Sequence, residues 1–437
     1  MKHAKLAAAD RFISRCDRSL QSLGSLAALS SRLYVASAIL TGLAVLGKAP
    51  LIGEIVPASS GVIYGLCGVS CLVPLLYRRF LKVSRFLAVP IVAAVWLTAL
   101  VVQSRLLSHL HSQGRGTDQG DCITVGAGQL LHGSWPYDRD LMWSHNPMSC
   151  GPGWLVAHAP SVIVGYPATM AALFTCAVVV VYLVHGFDTA ANFVVLLAIT
   201  PGFWLSYANG NDFVTFGVIV VAVSALTTTN RRMQRWLAAV GAIALSQFRL
   251  PFVLLPAAIP LDPPRLREHG RHPRLLAAVA CLLSIGLYGV FVWWRPDLML
   301  SDGPFHVLEK SMNLVGFPGG RITVIVVFMI LTGVIATIAR RFHPRYSALA
   351  YITLTLIPLS IASLFTTTRT HHGVIDVLGH WEGVSWLTAV VAVAAGLVGS
   401  VDTPERTDRG ERLDAETDWT SPDLSAEPLG KVRLHLG

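Results

Sequence analysis

The sequence predicts an all-α polytopic membrane protein, and three observations predict it. Of its 437 residues, 53% are hydrophobic and only 14% charged, against roughly a quarter charged in a soluble domain. Mean hydropathy is +0.57. Apolar runs of about 17–25 residues, enough to cross a ~30 Å hydrocarbon core as helices, recur along the chain. The runs are continuous rather than alternating, which excludes a β-barrel. The third observation is one polar island, residues 121–154, rich in Gly, Pro, His, Trp and Tyr inside an otherwise oily chain.

Taken in order, residues 1–32 form a basic N-terminus without the compact apolar core and small-residue cleavage site of a signal peptide. Ten spans are expected within 33–400: 33–47, 59–77, 86–106, 171–184, 191–206, 213–227, 275–294, 322–339, 347–365 and 384–400. The apolar segment 236–261 is interrupted by Ser246-Gln247-Phe248-Arg249-Leu250-Pro251. Its halves are too short to span at ~1.5 Å per residue, so it reads as a broken re-entrant hairpin.

The basic loops test this order. Arg78, Arg79, Lys82 and Arg85, then Arg231, Arg232 and Arg235, then Arg265, Arg267, Arg271 and Arg274, and finally Arg340, Arg341 and Arg345 fall with the N-terminus on one side. The excess of Lys and Arg makes that side cytoplasmic, and the parity requires the hairpin to return to its own side. The net charge of +9 therefore reports topology, not nucleic-acid binding. The opposite, extracytoplasmic side of the plasma membrane receives the large loop 107–170, with 207–212, 295–321 and 366–383. The polar tail 401–437 has too few aliphatics to build a core.

Within the large loop, Asp121 heads a short segment with Ile123, Ala127, Leu130 and Leu131 on one face, the spacing of an interfacial helix. Gly133 stops it, Trp135-Pro136-Tyr137-Asp138 turns, and a second short helix is expected from Pro152 to about Val164. Asp121 could equally be a helix N-cap. Of the seven cysteines, only Cys122 and Cys150 share this loop, as a disulfide or as two packed thiols. No cysteine spacing resembles a zinc site. His371, His372, His380 and Glu382 gather in one loop, but nothing in their spacing enforces metal geometry.

Several of these features together resemble the GT-C membrane glycosyltransferases, specifically glycosyltransferase family 87. That family includes polyprenol-phosphate-mannose-dependent mannosyltransferases of actinobacteria. The likeness covers roughly residues 86–340. It rests on Asp121 at the head of the large loop, the Gly-Ser-Trp-Pro-Tyr turn at 133–137, and Asn146-Pro147 through Gly151-Pro152-Gly153. Asn209-Gly210-Asn211-Asp212 before a span and Ser246-Gln247-Phe248-Arg249 in the hairpin complete it. The chain departs from the family in carrying two extra spans before Asp121, and Arg249 where a Lys-Pro pair is commoner.

The resemblance implies inverting transfer of a sugar, mannose first, from a polyprenyl-phosphate donor to a lipid or glycan acceptor of the cell envelope. No cofactor is implied. Such chemistry needs a base for the acceptor hydroxyl and cations for the leaving phosphate. Asp121 is then the base, and Arg249 with His145 and His372 the phosphate side. Tyr137, Asn146, Asn211, Asp212 and Gln247 are candidates for sugar or acceptor hydroxyls. Against this stand plainer readings. Arg249 could be the partner of Asp212 or Asp121 in a structural ion pair, and Asn211 and Asp212 could cap the next span. Trp135, Tyr137, Trp143, Trp154 and Trp381 could form an interfacial belt. A transporter or flippase for lipid-linked saccharides is the competing class, since broken helices and buried charges also occur there.

Overall fold

The structure is a computed structural model. It describes residues 26–47, 60–77, 83–114, 116–229, 231–261, 275–306, 308, 321–370 and 381–400. Every regular element among them is helical. The principal helices are α1 (Leu26–Gly47), α2 (Ser84–Ser112), α3 (Gln119–Leu131), α4 (Pro152–Ala157), α5 (Tyr166–His185), α6 (Phe187–Ala198) and α7 (Pro201–Ala208). They are followed by α8 (Asp212–Thr227), α9 (Arg232–Ser246), α10 (Leu275–Trp294), α11 (Arg321–Ala339), α12 (Ser347–Thr370) and α13 (Trp381–Gly399).

The centre of the bundle is α13, packed against α1, α6, α8 and α12. From Ala389 to Ala395 it is buried throughout, and from Asp212 to Val218 so is α8. Small Ala and Gly side chains let these helices approach closely, the usual solution where lipid supplies no hydrophobic drive between helices. The outer helices present large apolar side chains outward: Phe86 is 79% exposed, Leu282 69% and Ile330 62%. Water would oppose such a surface, whereas lipid tails match it. An α-helical membrane protein is the class this fits.

Ten spans are not what the described residues carry. Four helices are long and apolar enough to cross a membrane, and five if one bent pair is counted as a single span. The expected 191–206 is that pair: α6 and α7 meet at 80°. Pro201 starts α7 and cannot supply the N–H that would continue α6. The carbonyls released at the bend find other donors. Leu196 O accepts from Tyr34 Oη at 2.6 Å and Ala198 O from Trp204 Nε1 at 2.7 Å, as an apolar surrounding requires.

The expected 59–77 is an 11-residue helix, Ser60–Ser70, then a turn and a 3₁₀ piece. The 16 residues of α8 reach only ~24 Å at 1.5 Å per residue, short of a full crossing. By contrast α10 coincides with the expected 275–294. The expected interruption of 236–261 is present: α9 ends at Ser246, the chain breaks through Gln247–Arg249, and Leu250–Phe252 and Leu255–Ala258 follow as short helical pieces. The basic N-terminus 1–25, the loops 78–82 and 262–274, His371, His372, His380 and the tail 401–437 lie outside the described residues.

The bundle has two chemically different ends. At one, Arg85 pairs with Asp188 at 2.6 Å, Arg345 lies within electrostatic reach of His185, and Arg235 donates to the carbonyls of Thr227 and Leu261. These are C-terminal ends of α5 and α8 and the turn into α9. Their N-terminal ends, Tyr166 and Asp212, meet the segment that follows α2.

Candidate functional site

The site is built around α3. Thr117 accepts the Gln119 N–H at 3.2 Å just before it, and its first turn carries Asp121 at the third position. The observed start at Gln119 is two residues earlier than the head given by Asp121. Asp121 is therefore not the N-cap. Asp118 holds that position and makes no side-chain cap bond. At the far end, Gly133 takes φ +70°, and Gly133 and Ser134 donate back to Leu130 O and Gln129 O, a Schellman close that requires a residue tolerant of that φ.

Asp118 instead ties down the loop that follows. Its Oδ2 accepts from Ser144 Oγ and Asn146 Nδ2, both at 2.9 Å. The Trp143 N–H then points at Asp121 Oδ2, 3.4 Å away. The Trp143 ring stacks on His111 at 4.4 Å between centroids, and the His111 Nε2 faces Thr117 O at 3.0 Å. Since a carbonyl can only accept, Nε2 carries the proton. Asp121 is half-buried, while His145 and Asn146 are exposed, and His145 adopts φ 52°. The result is a solvent-reachable shelf with two carboxylates one turn apart.

Beneath it lies a buried knot. Arg249 meets Asp212 through two hydrogen bonds, Nη1 to Oδ2 at 3.2 Å and Nη2 to Oδ1 at 3.1 Å. This bidentate fork is the strong form of the arginine–carboxylate pair. The Asp212 side chain is 0% exposed and that of Arg249 11%. The guanidinium also lies over the Phe248 ring at 4.4 Å from its centroid and over Phe213 at 5.7 Å. Trp154 Nε1 donates to Asp212 Oδ2 at 3.1 Å, and the Asp212 N–H donates to Gln119 Oε1 at 3.1 Å. That last bond joins knot to shelf.

His158, buried behind Trp154, faces Trp154 O through Nδ1 at 3.0 Å, so Nδ1 carries the proton. Its Nε2 has no partner among the described residues. Burial pushes the His158 pKa down to about 4, and the Arg249 charge acts in the same direction. The ring is neutral at ordinary pH.

The hairpin break is fixed from both sides. Gln247 donates to Ser284 O at 2.9 Å and Ser246 Oγ to Ser284 Oγ at 2.7 Å. On the other side Gly151 N donates to Gln247 O at 2.8 Å, and a Cβ on Gly151 would collide with that carbonyl and with the Tyr288 hydroxyl. The loop is held again further out, where Met148 N donates to Asp302 O at 2.7 Å and Arg139 meets Asp302 at 3.6 Å.

Several expected site residues are thus placed differently from a ligand-facing position. Arg249 has Asp212 as its counter-ion, because a cation in an aromatic surround needs one. Asn211 caps α8 by accepting the Phe213 N–H at 2.8 Å, and Gln247 is 0% exposed. Tyr137 and Trp154 are core side chains at 0% and 1% exposure, not members of an interfacial belt. Asp121, His145 and Asn146 do share the shelf, and His372 lies outside the described residues. Asp118, Gln119 and His158 carried no expectation, although Asp118-Gln119 stands beside Asp121 in the sequence. Cys122 and Cys150 are both free and buried. No cluster of three His, Cys, Asp or Glu occurs among the described residues.

These features define an α-helical membrane protein with a carboxylate shelf over a buried arginine–aspartate knot at one end of the bundle. Comparison with known protein families, with curated proteins and with solved structures returns no match to this chain. The family likeness therefore rests on the motifs alone.

Proposed function

We propose that the protein is a GT-C-type glycosyltransferase of the plasma membrane, working on its outer face with a polyprenyl-phosphate sugar, mannose first, and an envelope lipid or glycan acceptor. The observation that carries this reading is the joining of Asp121 to the Arg249–Asp212 knot through Gln119. Segments far apart in sequence bring the helix that carries a solvent-reachable carboxylate into hydrogen-bond contact, through Gln119, with the buried ion pair at the break of an apolar hairpin. Separation of the Arg85, Arg235 and Arg345 end from this end supports the assignment of sides.

In this reading Asp121 takes the proton of the acceptor hydroxyl. The acceptor oxygen attacks the anomeric carbon from the face opposite the phosphate, and the C–O bond to the phosphate breaks with its electron pair. The configuration inverts. Arg249 is the cation nearest the leaving phosphate, with Asp212 as its resting counter-ion. His145 and, outside the described residues, His372 are further phosphate donors, while the exposed Asn146 belongs to the acceptor side and the buried Tyr137 supports the loop from the core. Transfer from a short-chain polyprenyl phosphate mannose by the purified protein tests the reading, and no transfer with mannose or arabinose donors would refute it.

One observation favours a second reading. Two apolar elements are interrupted, the α6–α7 bend and the α9 hairpin, and unwound apolar helices also build substrate sites in transporters. Movement of a lipid-linked saccharide across liposomes without sugar transfer would select it.

A further inference from the structure

The chain between α2 and α5 has two unlike halves. Up to Asn146 its exposed positions are mostly polar, among them Gln113, Ser134, Asp140, His145 and Asn146. From Pro147 to Met170 every exposed residue is apolar: Val156, Pro160, Val162, Ile163 and Val164. Ile163 is 86% exposed, Val156 60% and Val164 58%. Between Asp140 and Asp188 the chain carries no Asp, Glu, Lys or Arg. The polar side chains within 156–164 turn inward, His158 at 0% and Ser161 at 1% exposure.

The main chain of this second half is equally closed to water. The N–H groups of Ala159, Ser161, Val162, Ile163, Val164 and Gly165 each donate to a carbonyl three or four residues earlier, at 2.8–3.1 Å, and Pro160 has no N–H to place. A loop in water can leave donors to the solvent, whereas hydrocarbon demands internal partners. The turn Ser161–Val164 packs on both α3 and α5. α5 is among the helices long and apolar enough to cross a membrane, and its Val179 and Leu183 are 45% and 71% exposed. The exposed aliphatic row 162–164 thus adjoins a lipid-facing span, with only Gly165 between. Trp293, an exposed residue near the end of α10, stands at the same end of the bundle, where Trp294 meets Trp135 at 5.4 Å between centroids. Tryptophan favours the level of the lipid headgroups.

We propose that 156–164 is seated in the bilayer as a wedge beside the shelf, its partner being the acyl-chain region of the lipid. The proposal rests on the helical membrane class alone, and it holds equally for sugar transfer and for lipid movement. No outward polar side chain has to be stripped of water for this seating, since none is exposed between 147 and 170. Water meets the first half of the segment, and lipid meets the second. Through the turn 161–164 the lipid lies directly behind α3, the helix that carries Asp121. The shelf therefore stands at the boundary between the two media. The ligand that suits such a place is an amphiphile, with its polar head on the shelf and its apolar chain in the leaflet.

The test uses the unaltered full chain, so no variant has to fold. The purified protein is placed in nanodiscs of a phosphatidylcholine that carries a diazirine within its acyl chain. The discs are irradiated, the protein is digested, and lipid adducts are located by mass spectrometry. A second sample of the same discs is exposed to hydroxyl radicals, which mark side chains that meet water. The result expected is lipid adducts on 156–164 at a yield comparable with the Val179–Leu183 face of α5, with adducts absent from 132–146. Radical oxidation should show the reverse pattern. Oxidation of 156–164 without adducts puts the segment in water and overturns the proposal. Neither mark on 156–164 puts it under protein, and a peptide cross-linked to a second copy would name that cover; this outcome overturns the proposal too. Adducts missing from α5 as well would remove the membrane class on which it rests. Neither readout involves sugar transfer, so failure of the enzymatic reading and failure of this seating are told apart.

Discussion

Asp212→Asn tests the physical core of the site. The substitution is nearly isosteric and keeps an acceptor for Trp154 Nε1, now 3.1 Å from Oδ2. It removes the charge facing Arg249 and turns one of the two oxygens of the fork into a donor. The guanidinium then stays 11% exposed at its side chain with no counter-charge, and keeps as partners only the remaining amide oxygen, the Phe248 carbonyl and two ring faces. Breaking a buried pair by removing one partner costs about 3–5 kcal/mol, because the remaining charge is uncompensated. Two ring faces recover on the order of 1–2 kcal/mol when desolvated, but those exist in the wild type too and offset nothing. Arg249→Met should cost a similar amount, since it strands the carboxylate at 0% exposure. The double variant should cost less than the sum of the singles by about 3 kcal/mol, because it strands neither. The assay is reversible unfolding in mixed micelles, all four proteins in one detergent. Additive effects, or single variants within about 1 kcal/mol of wild type, would refute the claim that the pair is buried and coupled.

Two further outcomes follow from named contacts. His158 has its pKa pushed down to about 4 by burial, against about 6.5 unfolded. The unfolded chain therefore binds more protons between those values, and stability falls as pH drops through that window. The share of His158 is about 2 kcal/mol at pH 5 relative to neutral pH; His158→Gln should flatten the dependence by that amount in the same unfolding assay, and an unchanged pH slope would contradict a buried neutral ring. Gly151→Ala places a methyl against the Gln247 carbonyl and Tyr288 and should cost about 1–3 kcal/mol. Gly128→Ala on α3 meets nothing within 4 Å and should be neutral or stabilising by up to about 1 kcal/mol; equal losses in the two would show that the loop does not grip the hairpin as described.

How far the sequence foretold this depended on what each signal measures. Hydropathy marks the length of an apolar run, which is why α10 and the α9 break were placed closely. It is blind to direction, so α6 and α7 read as one span although Thr200-Pro201 was in view. Burial physics allowed Arg249 a counter-charge and named Asp212 as a candidate. It could not choose between that and a phosphate. Aromatic residues in a polar loop look alike whether they meet a sugar, an interface or a core, so the burial of Tyr137 and Trp154 could not be read from sequence. Asp118 and Gln119 act through partners 26 to 93 positions away, which local pattern does not reveal.

The most direct test of the account is sugar transfer from a short-chain polyprenyl phosphate mannose to lipid acceptors, with wild type and Asp121→Asn compared after both are shown to be folded. Asp121 reaches solvent and its Oδ2 meets only the Trp143 N–H among the described residues, so the change should spare the fold. The account predicts transfer by wild type and a loss of about 10²–10⁴-fold in the variant, the usual range for a missing general base. Equal transfer by the two proteins would contradict it.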